Sequence, residues 1–200
     1  MTVAGAALLW LVLGLTQAWA GNVGEMLTRN TVRLALAWYA AALWLMIRMQ
    51  PQDWSAESPR GRLARWCWTW GLASFLVHVA FAFHFYHQWA HAHAVAHTQE
   101  ASGFGEGLYF SYLFTLLWAA DVAWWWLTSE RYASRPRAVD RGLHAFMLLM
   151  VFNGAVVYES GPIRWVGIAI FAGLAGTWLV ARHAPQRRVE SNGAQIGTLR

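Results

Sequence analysis

Long apolar stretches separated by short polar ones make up most of this chain. A helix needs about 20 apolar residues to cross the hydrocarbon of a bilayer, and the sequence divides into about six stretches near that length. They lie near 3–20, 31–49, 66–87, 107–127, 142–158 and 162–181. The pattern predicts an all-α polytopic integral membrane protein, a helical bundle of about six transmembrane helices that occupies residues 1–182.

The composition favours lipid as the solvent of this bundle. Of the 200 residues, 58% are hydrophobic and 12% are charged, whereas soluble domains average about 45–50% and 25%. The net charge of +5 depends on arginine alone, because the chain contains no lysine. These arginines cluster beside apolar segments and not along a solvated face, which argues against a nucleic-acid partner. The expected partner is therefore the lipid bilayer.

The positions of the arginines also predict an orientation. Cytoplasmic loops carry an excess of positive charge, and the loops at 48–65 and 128–141 hold four arginines each, whereas the loop at 88–106 holds none. We therefore expect a multi-pass protein of a bacterial-type cell (inner) membrane with both termini in the cytoplasm. The 88–106 loop is expected on the periplasmic or extracellular side. Arg29 and Arg33 fall on the wrong side of this arrangement.

The two ends of the chain call for separate interpretations. Ala18, Trp19 and Ala20 resemble the cleavage site of a signal peptide, and cleavage after residues 1–20 would leave five spans. A retained helix is preferred, since this segment lacks a positive n-region and its uncharged run exceeds a typical h-region of about 7–15 residues. Residues 183–200 lose apolar periodicity and are expected to form a disordered cytoplasmic tail.

Tryptophan is unusually frequent, with 15 residues. One cluster opens the third predicted span and another closes the fourth, as interfacial aromatic belts do. If the two spans are antiparallel neighbours, both clusters lie at one membrane face. They consist of Trp66, Trp68 and Trp70, and of Trp124, Trp125 and Trp126.

Five of the eight histidines fall in the segment HFYHQWAHAHAVAH, residues 84–97. Between Pro59 and Pro136 no proline forces a break, and a continuous helix from Trp66 to His97 would be about 48 Å long. That length exceeds the hydrocarbon thickness of about 30 Å, so the last turns are expected to emerge on the outer side. In such a helix one set of histidines shares a sector and a second set lies on the opposite side. The sets are His84, His87 and His91, and His93 and His97.

A divalent metal site is one interpretation of this segment. Histidines at i and i+4 can share a metal ion; three or four such ligands suffice for Zn, and histidines with carboxylates suit non-haem Fe. The sequence favours a solvated helix end as the alternative, because a histidine-rich tract is only compositional evidence. The candidate ligands are His84, His87, His91, His93, His97, Glu100, Glu106 and Glu159.

Four polar residues fall inside the predicted spans, where an uncompensated polar group is costly. Asp121 and His144 lie at a similar level near the cytoplasmic end, where they are placed to hydrogen-bond. His78 and Asn153 lie near mid-membrane and are placed to bond across the interface of the third and fifth spans. A staple between helices is preferred for each pair, and a proton relay or cation site is the alternative. Haem b is disfavoured, because bis-histidine ligation needs two helices with histidines at matching depth.

Two smaller features concern the last spans. Glu159 and Arg164 flank the turn between them and are close enough in sequence to pair. Gly167, Gly173 and Gly176 are expected to permit close helix packing in the sixth span.

Three hypotheses for function follow from these patterns. The first is a membrane metal-binding or redox protein that uses the outer histidines. The second is a small transporter component built around the four intramembrane polar residues. The third is an accessory or structural membrane subunit without a cofactor, which exposes a tryptophan-rich surface to lipid, to a second copy of itself or to a membrane partner subunit. No catalytic residue can be assigned, since no nucleotide-binding loop or nucleophile triad is visible.

Overall fold

The computed structural model describes residues 2–55 and 57–183. Every regular element in these residues is a helix, so the described chain is all-α as predicted. A 3-10 turn at Pro51–Trp54 and π turns at Phe83–His87 and Asn153–Val157 accompany the α-helices. The predicted tail lies outside the described residues except for His183. The α-helices are α1 (Thr2–Trp19), α2 (Val23–Ile47), α3 (Pro59–Ala82), α4 (His91–Ser102), α5 (Gly107–Leu127), α6 (Ser129–Ala133), α7 (Arg137–Phe152) and α8 (Gly161–His183).

Within the described residues, three helices are long and apolar enough to cross a membrane, and they give the chain the character of a membrane protein. They are Val23–Ile47, Pro59–His87, which includes the first π turn, and Gly161–His183. A shorter apolar helix occupies Val3–Trp19. The predicted spans at 107–127 and 142–158 are also helical, as α5 and as α7 with its π turn. Whether these two and α1 cross the membrane stays a prediction.

A tight loop joins α2 to α3 and is organised by one carboxylate. Asp53 accepts hydrogen bonds from the Gln50 N–H (2.9 Å), the Ser58 hydroxyl (3.1 Å) and Arg60 Nη1 (3.2 Å). These donors, the Gln50 N–H foremost, hold the pKa of the Asp53 carboxyl below its ordinary value. Gly61 lies against this loop, and a Cβ there would stand 2.1 Å from the Asp53 carbonyl oxygen. The first turn of α3 therefore requires glycine.

Aromatic rings fill the core between α2, α3, α5 and α7. The ring centroid of Trp68 lies 5.4 Å from that of Tyr39 and 5.1 Å from that of Trp118. The ring centroids of Trp66 and Trp126 lie 4.7 Å apart, so the two tryptophan clusters are neighbours. That they share one membrane face stays a prediction. The belt interpretation is wrong for two of their members, because Trp68 and Trp125 are fully buried. The fully buried large side chains are Tyr39, Trp68, Trp118, Trp125, Tyr132 and Met147.

The expected continuous helix from Trp66 to His97 is wrong. The π turn that follows α3 ends at His87, and Gln88 and Trp89 adopt φ angles of 50° and 60°, in the left-handed region that residues other than glycine rarely enter. The Trp89 N–H donates to the Phe83 carbonyl at 3.1 Å, which closes the turn. The chain then reverses, and α4 packs against α5 and the π turn. Neither proline nor glycine marks this break in the sequence.

The α8 helix is exposed along most of its length, and its glycines differ in their surroundings. A Cβ on Gly167 would lie 2.6 Å from the Ala155 carbonyl oxygen, so α8 packs closely there. Gly173 and Gly176 would meet no other atom of the described chain within 4 Å. The expectation of close packing is therefore wrong for these two glycines within the described residues.

Arg164 was expected to pair with the Glu159 side chain, but in the turn before α8 it binds backbone carbonyls instead. The Arg164 side chain donates to the backbone carbonyl of Glu159 at 2.8 Å and to that of Val157 at 3.3 Å. Val157 is the last residue of the π turn and Glu159 lies two residues beyond it, where carbonyls lack intrahelical donors. Arg164 therefore caps the end of one helix at the start of the next.

Candidate functional site

A buried carboxylate on α5 is the centre of the most developed polar site. The Asp121 side chain is 3% exposed. Its Oδ2 accepts hydrogen bonds from Trp68 Nε1 and the Tyr132 hydroxyl, both at 2.9 Å. Its Oδ1 accepts one from Arg135 Nη1 at 3.1 Å. Since Trp68 belongs to α3, Tyr132 to α6 and Arg135 to the segment before α7, one side chain ties three parts of the fold to α5.

Arg135 extends this site toward α7. Its guanidinium is 5% exposed and lies over the Tyr132 ring, 3.9 Å from the centroid. Nε donates to Asp140 Oδ1 at 2.9 Å, and Nη2 contacts the same oxygen. Nη2 also lies 3.3 Å from His144 Nε2. Arg135 thus bridges two carboxylates and contacts a histidine; we call Trp68, Asp121, Tyr132, Arg135, Asp140 and His144 the Asp121 network.

Aromatic rings enclose the network and bury the Tyr132 hydroxyl, which stays protonated. The rings of Trp125 and Tyr132 stack with centroids 4.7 Å apart and planes 5° from parallel, and Trp54 lies beside both. Burial, and then the Asp121 charge, raise the pKa of the Tyr132 hydroxyl well above its ordinary value. The hydroxyl therefore keeps its proton and donates it to Asp121 in the hydrogen bond.

Arg65 provides a second buried cation near the end of α5. Its Nη1 donates to the Ser129 hydroxyl at 2.9 Å and contacts the Trp125 carbonyl at 3.4 Å. The guanidinium also lies over the Trp126 ring, 4.2 Å from the centroid. This side chain fixes the junction of α5 and α6 to α3, and so it supports the position of Tyr132.

The predicted pairs of intramembrane polar residues fare differently. Asp121 and His144 do belong to one network, but Arg135 lies between them and contacts each. His78 does not bond across to Asn153. Its Nδ1 lies 2.9 Å from the Thr28 carbonyl oxygen, because α2 is the helix that packs along α3. The staple interpretation describes His78 well, although its partner is on a different helix.

The reversal at Gln88 and Trp89 rearranges the histidine segment. His87 and His97, expected on opposite sides of one helix, meet with ring centroids 5.2 Å apart and perpendicular planes. Among the described residues, His91 has no hydrogen bond or ring contact with this pair. Its Nδ1 lies 3.0 Å from the Tyr112 hydroxyl, and the Tyr109 hydroxyl is also close to its ring. Within 2–55 and 57–183, no group of three or more His, Cys, Asp or Glu side chains is arranged to hold a metal ion. The eight predicted ligands therefore do not form one complete site within the described chain.

Sequence reasoning placed Arg135 in a positively charged loop and missed its role in the site. The available signal was Asp121 itself, because an acid inside an apolar span requires a partner. Arg135 lies 14 residues farther along, immediately before Pro136, which ends the segment after α6. The chain turns back at the short helix α6, and this turn brings Arg135, and not Arg131, into contact with Asp121. The sequence did not indicate that turn.

Comparison with known proteins gives no match. No protein-family model matches the sequence, and no curated protein and no solved structure matches it.

Removal of the Asp121 charge tests the network. Asp121→Asn leaves the buried Arg135 without one of its two carboxylates, so we expect the free energy of unfolding to fall by about 3–5 kcal/mol. Glu25→Gln is the control, because the Glu25–Arg29 pair is exposed and such pairs contribute about 0.3–0.5 kcal/mol. Tryptophan fluorescence during denaturation in mild detergent measures both variants. Equal effects of the two substitutions would contradict the role given to Asp121.

Proposed function

We propose that the chain is a six-span protein of a bacterial-type cytoplasmic membrane, with both termini in the cytoplasm and 88–106 on the outer side. The lengths of α2, of 59–87 and of α8 support a membrane protein, and the arginine-rich loops support the direction. Arg29 and Arg33, which fall on the outer side in this arrangement, have local partners. Arg29 pairs with Glu25 at 3.1 Å, and Arg33 donates to Asn30 at 3.1 Å.

Within that membrane, we assign the chain the role of an accessory or structural subunit. The observation that carries this role is the saturation of Asp121, which accepts three hydrogen bonds from fixed donors. Arg135 lies between Asp121 and His144, and a guanidinium does not give up its proton in proteins. Arg135 therefore blocks the transfer of a proton between Asp121 and His144. The largely exposed apolar surface of α8 supplies an area for lipid or for partner helices.

The orientation can be tested by cysteine labelling, because Cys67 is the chain's one cysteine and is buried. In a Cys67→Ser background, Ala101→Cys and Ser160→Cys should react with a membrane-impermeant maleimide in intact spheroplasts. Ser134→Cys should react only after lysis, since its loop is placed in the cytoplasm. The inverse labelling pattern would contradict the orientation, and labelling of all three sites in intact cells would contradict the six spans.

The subunit role can be tested against transport in proteoliposomes. With a pH-sensitive dye inside and an imposed potential, we expect the reconstituted protein to conduct protons no faster than protein-free liposomes. A flux that His144→Gln abolishes at equal reconstitution would overturn the subunit proposal in favour of a transporter. Leu149→Gln, on the exposed side of α7, controls for damage to the helix.

Metal binding is a second candidate function, favoured by the contact of His87 with His97. Their rings lie 5.2 Å apart, and the buried Nδ1 of His87 has no hydrogen-bond partner in the described part of the chain. Two histidines are fewer than the three or four ligands that zinc takes from side chains. This candidate therefore needs at least one further ligand, such as one from a second copy of the chain.

The histidine contact makes a sharp metal test available. This second candidate predicts that the untagged protein, purified in mild detergent with zinc or iron supplied, holds near-stoichiometric metal by elemental analysis, whereas the subunit role predicts none. His87→Ala/His97→Ala should lose it, whereas His91→Ala should keep it because His91 is engaged with Tyr112. A metal-free wild-type protein, or equal metal in the wild type and the double variant, would exclude a site at this pair.

A further inference from the structure

A cavity of about 540 Å³ lies between α2, α7 and α8, within the range of about 300–1,000 Å³ that is usual for small-molecule sites. Its polar lining consists of Asp140, Arg141 and His144, all near the start of α7. The rest of the lining is apolar, so the cavity has one polar end and a long apolar wall. The main apolar side chains are Leu43, Met46, Ile47, Leu148, Phe171 and Leu174.

Arg141 lines the polar end of this cavity. Arg48 directly follows the lining residue Ile47, and Arg182 lies against the lining residue Trp178. Arg48 follows directly after α2, Arg141 lies in the second turn of α7, and Arg182 lies in the last turn of α8. The Arg48 guanidinium stacks on Trp44, 4.1 Å from the ring centroid, and that of Arg182 stacks on Trp178 at 4.5 Å. Stacking on an indole orients a guanidinium and leaves its N–H edges available to an anion.

The charge balance at this end is positive. Asp140 is the one acid among the described residues that line the cavity, and its Oδ1 is already bonded to Arg135 of the Asp121 network. Among the described residues, Arg48, Arg141 and Arg182 form no ion pair with a carboxylate. The acid of the polar end is therefore neutralised by Arg135, whereas the charge of Arg141 in the lining and those of Arg48 and Arg182 beside lining residues are not.

We propose that this cavity binds an anionic phospholipid. The phosphate lies between Arg141 and Arg182 with Arg48 beside it, and an acyl chain occupies the apolar wall between α2 and α8. Arginine binds phosphate through paired N–H donors, and basic pockets between helices on the cytoplasmic side are suited to anionic head groups. A free anion would leave the apolar wall unfilled. The inference rests on the membrane placement proposed above and not on the subunit role.

Native mass spectrometry of the detergent-solubilised chain tests the proposal with phosphatidylglycerol and phosphatidylcholine of identical acyl chains. We expect phosphatidylglycerol to bind more tightly. Arg141→Gln/Arg182→Gln should raise its dissociation constant about thirtyfold, given the usual contribution of an arginine near an anionic lipid. Arg62→Gln/Arg131→Gln is the matched control, because it removes the same charge from two exposed arginines. Within the described chain, neither of them lines the cavity, as Arg141 does, or stacks on a lining residue, as Arg182 does.

A second variant tests whether lipid binding needs the space of the cavity, separately from the charge of its arginines. Ala175 lines the cavity and Ala172 does not, and both are exposed on α8. Ala175→Phe should weaken phosphatidylglycerol binding, whereas Ala172→Phe should leave it unchanged, with the thermal midpoint of each variant confirming that it is folded. Equal binding of both lipids would overturn the anionic head group. Glycerol phosphate that binds as tightly as phosphatidylglycerol would overturn the acyl-chain part. Unchanged lipid binding in both cavity variants would overturn the site.

Discussion

The ion pair between Asp121 and Arg135 is the interaction on which the rest of the structure depends. Both side chains are almost fully buried, and an isolated charge is very costly in a medium of low dielectric constant. Each group therefore has to be surrounded by partners, and the chain supplies them from α3, α6 and α7. A buried pair of this kind need not add net stability relative to apolar packing. Its effect here is to tie α3, α6 and the segment before α7 to α5, because separating them would leave a buried charge without its partner.

The network also determines how α7 begins. Arg135 binds both Asp121 and Asp140, which are separated by the end of α5, all of α6 and the start of α7. Asp140 is held by Arg135, and Arg141 and His144 on the same first turns of α7 line the cavity together with it. The polar end of the cavity is thus positioned by an ion pair that lies outside it. The same contact neutralises Asp140, so the charges of Arg141 in the lining and of Arg182 on Trp178 are not offset by it.

The sequence predicted helices well, because apolar residues repeat along the chain. It did not predict features that depend on a single contact between distant residues. Apolar stretches of about 20 residues located α1, α2, α3, α5, α7 and α8. They did not say whether the two tryptophan clusters are neighbours, and the sequence could treat that only as a condition. The break after His87 had no signal, because Gln88 and Trp89 are not residues that favour a left-handed conformation. Arg135 was counted as a loop charge, since its return to Asp121 depends on the path of α6. His78 was given the wrong partner, because periodicity places a residue on a helix but does not say which helix packs against it.

The two ends of the bundle differ in how firmly they are held, and this difference bears on what each end can do. In α4 only Ala94 is fully buried, and the connection to α5 is fastened mainly by the Gln99 side chain, which bonds both Gly103 and Gly105. Few buried apolar contacts mean a low free energy of local opening. We call the π turn Phe83–His87 together with α4 the histidine hairpin. A ligand that bound His87 and His97 together would therefore stabilise the histidine hairpin by mass action, without having to move the Asp121 network. The histidine hairpin can respond to its surroundings while the opposite end of the bundle, fixed by buried charges, remains as it is.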